Sequence, residues 1–166
     1  MALQSLAVPR PLLLALVSAL LAVGLLAGCG GDDGDKGAEA KEQFDKGYAP
    51  INDDFVALGN EVGETINTAK GKSNSELATK FEAHARGVDD LKGRLDELEP
   101  PSEYEADAKR LSDAMAIVAG DLKELSQLAT AGDADGARAK VQELTRHSVE
   151  VRTARRALAR KTGAKV

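Results

Sequence analysis

Tryptophan is absent from this 166-residue chain, which also holds only three phenylalanines, two tyrosines, two histidines and one cysteine. Each scarcity closes a class of function. A lone cysteine permits no internal disulfide and no C-x-x-C-H haem-attachment run. A di-iron bundle needs a glutamate three residues before each of two histidines, but Phe81 and Leu144 stand at those places before His84 and His147. No G-x-S-x-G elbow and no Ser–His spacing supports nucleophilic catalysis, and no glycine-rich phosphate loop occurs beyond residue 37. The acidic pairs Asp53-Asp54, Asp89-Asp90 and Asp96-Glu97 fall on polar helix faces, where solvation explains them. The expectation is a protein that is not an enzyme. Nucleic-acid binding is also disfavoured, because the few aromatics are not interleaved with basic residues and the net charge is −5.

Long apolar runs are missing too, with one exception at the start. Arg10 precedes a stretch from Leu12 to Leu26 broken only by Ser18 and Gly24. Pro11 to Ala27 is a little short of the roughly 20 apolar residues that cross a bilayer, and the pattern is that of an export leader. It closes on Leu25-Leu26-Ala27-Gly28-Cys29-Gly30. An aliphatic residue, two small residues and a cysteine resemble the lipobox of bacterial lipoproteins. The resemblance implies that residues 1–28 are a signal peptide and that Cys29 receives a diacylglycerol thioether and becomes the mature N-terminus. It also implies a lipid-anchored protein on the extracytoplasmic side of the cell envelope, its partner being membrane lipid. Each buried methylene contributes about 0.8 kcal/mol, so one acyl chain holds marginally and two hold stably. Gly30, where an aspartate would favour inner-membrane retention, leaves the choice of membrane open. The resemblance covers residues 1–29 and carries over no functional residue other than Cys29.

Residues 30–37 contain four glycines and no apolar side chain. Such a stretch cannot offset its ordering entropy by burial, so residues 29–37 are expected to form a flexible tether with a reach of about 28 Å. Its aspartates lack the twelfth-position glutamate of a calcium loop. From residue 38 the pattern is helical. Apolar residues recur in steps of three and four: Phe44, Tyr48, Ile51, Phe55, Leu58, Val62 and Ile66 first, then Leu77, Phe81, His84, Val88, Leu91, Leu95 and Leu98. The third series runs from Tyr104 through Leu111, Met115, Val118 and Leu122 to Leu125, and the fourth from Ala137 through Val141, Leu144, Ser148 and Val151 to Leu158.

Punctuation separates these series. Gly71 closes the first, and Ser73 with Glu76 forms a capping box for the second. Pro100-Pro101 ends the second, Ser102 with Glu105 suggests another box, and Gly132 fits a left-handed helix terminus before a cap at Asp133 or Asp135. Pro50 is expected to kink or delay the first helix. The approximate helices are 38–70, 74–99, 102–131 and 134–161. Short connections make residues 38–166 an all-α, antiparallel, up-down-up-down four-helix bundle. Its alanine-rich core predicts close helix approach and little spare volume.

Charge is distributed unevenly. Gly30 to Ala137 holds 12 Lys+Arg against 25 Asp+Glu, a net of −13, whereas Arg138 to Val166 holds 9 against 2, a net of +7. The fourth helix is thus a basic rod beside acidic neighbours, which helps it dock. In this topology its end shares a pole with the tether, so Arg152, Arg155, Arg156, Arg160, Lys161 and Lys165 form a candidate patch facing anionic headgroups and holding the bundle upright. The resulting expectation is a non-catalytic envelope protein with a structural or binding role and no cofactor beyond the lipid on Cys29. Two alternatives stand beside it. One is a metal- or haem-binding bundle using His84, His147 and Met115; the other is an adaptor that docks an envelope protein through its acidic face. Neither the ligand nor the oligomeric state is legible.

Overall fold

The computed structural model describes residues 33–166. The leader, the Leu26-Ala27-Gly28-Cys29 motif and residues 30–32 lie outside the described residues. Four α-helices follow in order: α1 (Asp33–Asn67), α2 (Asn74–Asp96), α3 (Glu105–Ala131) and α4 (Ala134–Thr162). The described residues contain no strand. Each helix packs on its sequence neighbours, and α1 also meets α4, which closes an all-α four-helix bundle.

The predicted periodicity is the core. Phe44, Tyr48, Phe81, Leu91, Tyr104, Met115, Leu122 and Leu158 are all buried. Each aliphatic side chain of this kind contributes about 1.5–3 kcal/mol by leaving water. Small residues let the helices approach, with Ala85, Ala119, Ala154 and Ala159 wholly or almost wholly covered. The described core runs from Phe44 to Ala159, inside the compact unit Asp32–Val166. That unit therefore carries its own core, as an autonomously folding domain does.

Several boundaries differ from the sequence expectation. Helix α1 begins at Asp33, so residues 33–37 of the expected tether are helical. Pro50 lies inside α1 rather than at its start. Its ring removes the hydrogen bond to the Lys46 carbonyl, and both residues are exposed. The capping box at Ser73 forms as expected: Glu76 N–H donates to Ser73 Oγ at 3.2 Å, and Ser73 N–H donates to Glu76 Oε2 at 3.0 Å. The box at Ser102 does not. A turn after Pro101 carries the Tyr104 N–H to the Pro101 carbonyl at 2.7 Å, and Tyr104 itself caps α3 without a side-chain bond. The buried Tyr104 ring fixes the chain there, and its hydroxyl donates to the Lys161 carbonyl at 3.0 Å. Gly132 ends α3 in the left-handed region with φ 72°, and Asp133 Oδ1 accepts from the Gly136 N–H at 2.9 Å to open α4.

Candidate functional site

The antiparallel order puts the start of α1, the ends of α2 and α4 and the start of α3 at one pole, which is the tighter one. Phe44 stacks on Tyr48 with ring centroids 6.1 Å apart, and it tilts against Tyr104 at 5.5 Å. The Tyr48 hydroxyl donates to the Arg155 carbonyl at 3.2 Å. Burial, opposed by the Arg155 charge, holds that phenol above the usual tyrosine range.

The six basic residues expected to form a surface patch differ in exposure and partners. Arg156, Arg160 and Lys165 are exposed. Arg152 is exposed as well but also lines a cavity described below. Lys161 is exposed yet committed within the fold, its Nζ lying 2.6 Å from Asp107 Oδ2 and donating to the Glu103 carbonyl at 2.9 Å. Arg155 is not on the surface at all. It is 7% exposed, with Nη1 donating to Asn52 Oδ1 at 2.8 Å and reaching the Lys165 carbonyl at 3.5 Å. The reason is positional: Arg155 stands four residues after Val151 and three before Leu158, so it faces inward with the seam. Arg152, Arg156 and Arg160 fall one helical turn apart on a common face, and among the described residues none has a carboxylate within 4.0 Å. The same pole exposes Glu97, Glu99 and Glu103 on the link from α2 to α3 and Glu105 at the start of α3. The basic surface is thus a flank of α4, not the whole pole.

The histidines look to different neighbours. His84, buried on α2, shares a hydrogen bond with Thr65 of α1 between Nε2 and Oγ1 at 2.9 Å. Burial pushes its imidazole below the usual histidine range, against a smaller opposing pull from Glu61. On α4, His147 donates from Nδ1 to Asp121 Oδ2 of α3 at 2.6 Å. Asp121 also lies 3.5 Å from Lys140 Nζ, which touches Glu124 and Glu143 at 2.6 Å each. Those two carboxylates hold the ammonium above the usual lysine range. Met115 is buried in the core. No hydrogen bond of the described residues links His84 to His147, and the two rings are bonded to residues of different helices, Thr65 of α1 and Asp121 of α3. Among the described residues no group of three or more His, Cys, Asp or Glu is placed to hold a metal ion.

The expectation of little spare volume also fails. Past its midpoint α1 stands off from α4 and leaves a slot of about 340 Å³. Its walls are Phe55, Leu58 and Val62 of α1 with Leu144 and Val151 of α4, and the buried Val88 and Val118 lie behind. Gly59 and Ser148 on the facing helices supply almost no bulk, so the gap stays open. Arg155 lines the end nearest the tight pole, with Arg152 beside it. A second groove, of about 750 Å³, lies at the opposite pole between Ile66, Leu77, Phe81, Leu128 and Val141.

Comparison with family models, with curated proteins and with solved structures finds no match for this chain. The site must be read from its own geometry.

Proposed function

We propose that this chain is a non-catalytic lipoprotein of the cell envelope, anchored through an acylated Cys29 on the extracytoplasmic membrane surface, with the bundle serving as a binding or structural module. The leader and the Leu26-Ala27-Gly28-Cys29 motif support the anchor. The observation that carries the reading is the exposed arginine stripe of α4 at the pole where α1 begins. Only three residues lie between Cys29 and Asp33, a distance of at most about 14 Å.

The two chains of a diacylglycerol already hold stably, so a basic patch beside them sets the orientation of the bundle rather than its attachment. Each arginine near an anionic surface is worth about 1 kcal/mol. The acidic side chains of the same pole repel anionic lipid. The bundle therefore leans on the α4 flank instead of standing upright, with Arg152, Arg156 and Arg160 along about 12 Å of helix facing the headgroups. Lys161 and Arg155 serve the fold.

Vesicle flotation of the Asp32–Val166 unit tests this orientation. Binding to vesicles rich in phosphatidylglycerol should exceed binding to zwitterionic ones and weaken as salt shortens the Debye length. Arg156→Glu with Arg160→Glu should abolish the difference while leaving helix content unchanged. Equal binding to both vesicle types by the unaltered unit would contradict the lipid-facing stripe.

A further inference from the structure

We propose that the slot between α1 and α4 binds a single-chain anionic amphiphile, a fatty acid whose carboxylate meets Arg155 and whose tail lies between Phe55, Leu58 and Leu144. This goes beyond membrane anchoring and stands independently of whether Cys29 is acylated.

The head-group end rests on Arg155. Buried arginines are nearly always paired with a carboxylate, because an uncompensated buried charge is costly. Arg155 is 7% exposed, yet among the described residues no carboxylate lies within 4.0 Å of it. Its protein partners are neutral, the Asn52 amide oxygen and the Lys165 carbonyl, and both are engaged through Nη1 alone. Nε and Nη2 make no hydrogen bond to any described residue. Asp45 Oδ1 is the one sealed side-chain polar atom without a partner among the described residues, so these two nitrogens still reach solvent, and the slot is the cavity that Arg155 lines. They form the planar fork that takes a carboxylate in two parallel bonds. Asn52, 1% exposed, fixes that fork by occupying Nη1. Arg152 adds a second positive charge at the lip.

The tail end rests on the walls. They are apolar, they continue from the fork along the second half of α1, and the volume of about 340 Å³ suits one chain. It falls within the roughly 300–1,000 Å³ of ligand sites, where apolar walls with a few fixed polar groups are the rule. A cationic amphiphile would set its charge against two arginines. A neutral one would leave the fork unpaired.

Calorimetric titration of the Asp32–Val166 unit with decanoate, decanol and decyltrimethylammonium, all below their aggregation thresholds, decides the matter. Decanoate should bind saturably, one per chain, at least tenfold tighter than decanol, with no saturable binding of the cation. From octanoate to decanoate each added methylene should tighten binding about fourfold. Arg155→Met should erase the preference for decanoate over decanol. Ser148→Phe, which fills the slot without touching the fork, should abolish binding of both while the unit stays folded. Loss of fold in the arginine variant would leave the probe series and Ser148→Phe as the deciding arms. The proposal is overturned if decanoate binds no better than its neutral or cationic counterpart, if no saturable binding occurs, or if Ser148→Phe binds decanoate unchanged. Because the unit tested carries no Cys29, failure here leaves the anchoring proposal standing, and failure of anchoring leaves this one standing.

Discussion

Phe44 and Phe55 lie on the same apolar series of α1, about three turns apart, yet their surroundings differ. Phe44 is 2% exposed against the rings of Tyr48 and Tyr104, whereas Phe55 is half-buried beside an open slot. What separates them is the opposing surface. Near Phe44 the chain supplies two tyrosines whose hydroxyls bind carbonyls of α4. Near Phe55 the facing helix α4 offers Ser148, and the next turn of α1 itself offers only Gly59. The same pattern continues to the far pole, where Val62, Ile66, Leu77, Ala137 and Val141 are only partly covered. Apolar spacing sets which face of a helix turns inward. The bulk of the partner sets how completely that face is covered.

The strongest way to break this comparison is one substitution made twice. Phe44→Ala should cost about 3–5 kcal/mol of unfolding free energy, and Phe55→Ala markedly less, because the slot already leaves part of that ring without neighbours. Equal losses in denaturant titrations would show that the two halves of α1 are packed alike. Next in size is Asn52→Ala, which strips Arg155 Nη1 of its shorter acceptor and leaves the Lys165 carbonyl without the Asn52 amide at 3.0 Å. About 1–3 kcal/mol should be lost, and bound decanoate should recover part of it as an upward shift in Tm.

Smaller effects sharpen the open half. Gly59 and Gly63 are helical, and a methyl group at either meets no atom within 4 Å. Each change to alanine should therefore stabilise the domain by about 0.5–1 kcal/mol by reducing the freedom of the unfolded chain. Gly132, at φ 72°, should respond in the opposite direction, since its backbone conformation strains any L side chain. Last comes pH. His84 has its folded pKa held below the usual value, chiefly by burial. The unfolded state thus takes up the proton more readily, and stability falls as pH drops through the ordinary histidine range. His84→Gln should flatten the dependence of Tm between about pH 7 and 5. A slope unchanged by that substitution would assign the pH response elsewhere.

The helices and their inward faces were legible because three-and-four spacing reports directly on which side meets a neighbour. So were the stop at Gly132 and the cap at Ser73, where local chemistry decides the ending, whereas α1 ends at Asn67, four residues before Gly71. The Ser102 box was not, since the Tyr104 ring, held by a distant helix, overrides a cap worth about 1 kcal/mol. Much of the candidate site lay hidden for a related reason. Arg155 completes the seam of Val151, Ala154 and Leu158, a signal present in the spacing but outweighed by the rule that arginines face water. Only the third dimension shows Asn52 opposite it. The slot itself depends on what two helices distant in sequence fail to supply. Spacing within either helix does not contain that information.

The claim on which the anchored account rests is chemical and sits at Cys29. Mass spectrometry of the mature protein extracted from membranes should find the chain beginning at that residue, with a diacylglyceryl thioether on its sulfur. A free thiol at Cys29, or a leader still attached ahead of it, would contradict the account.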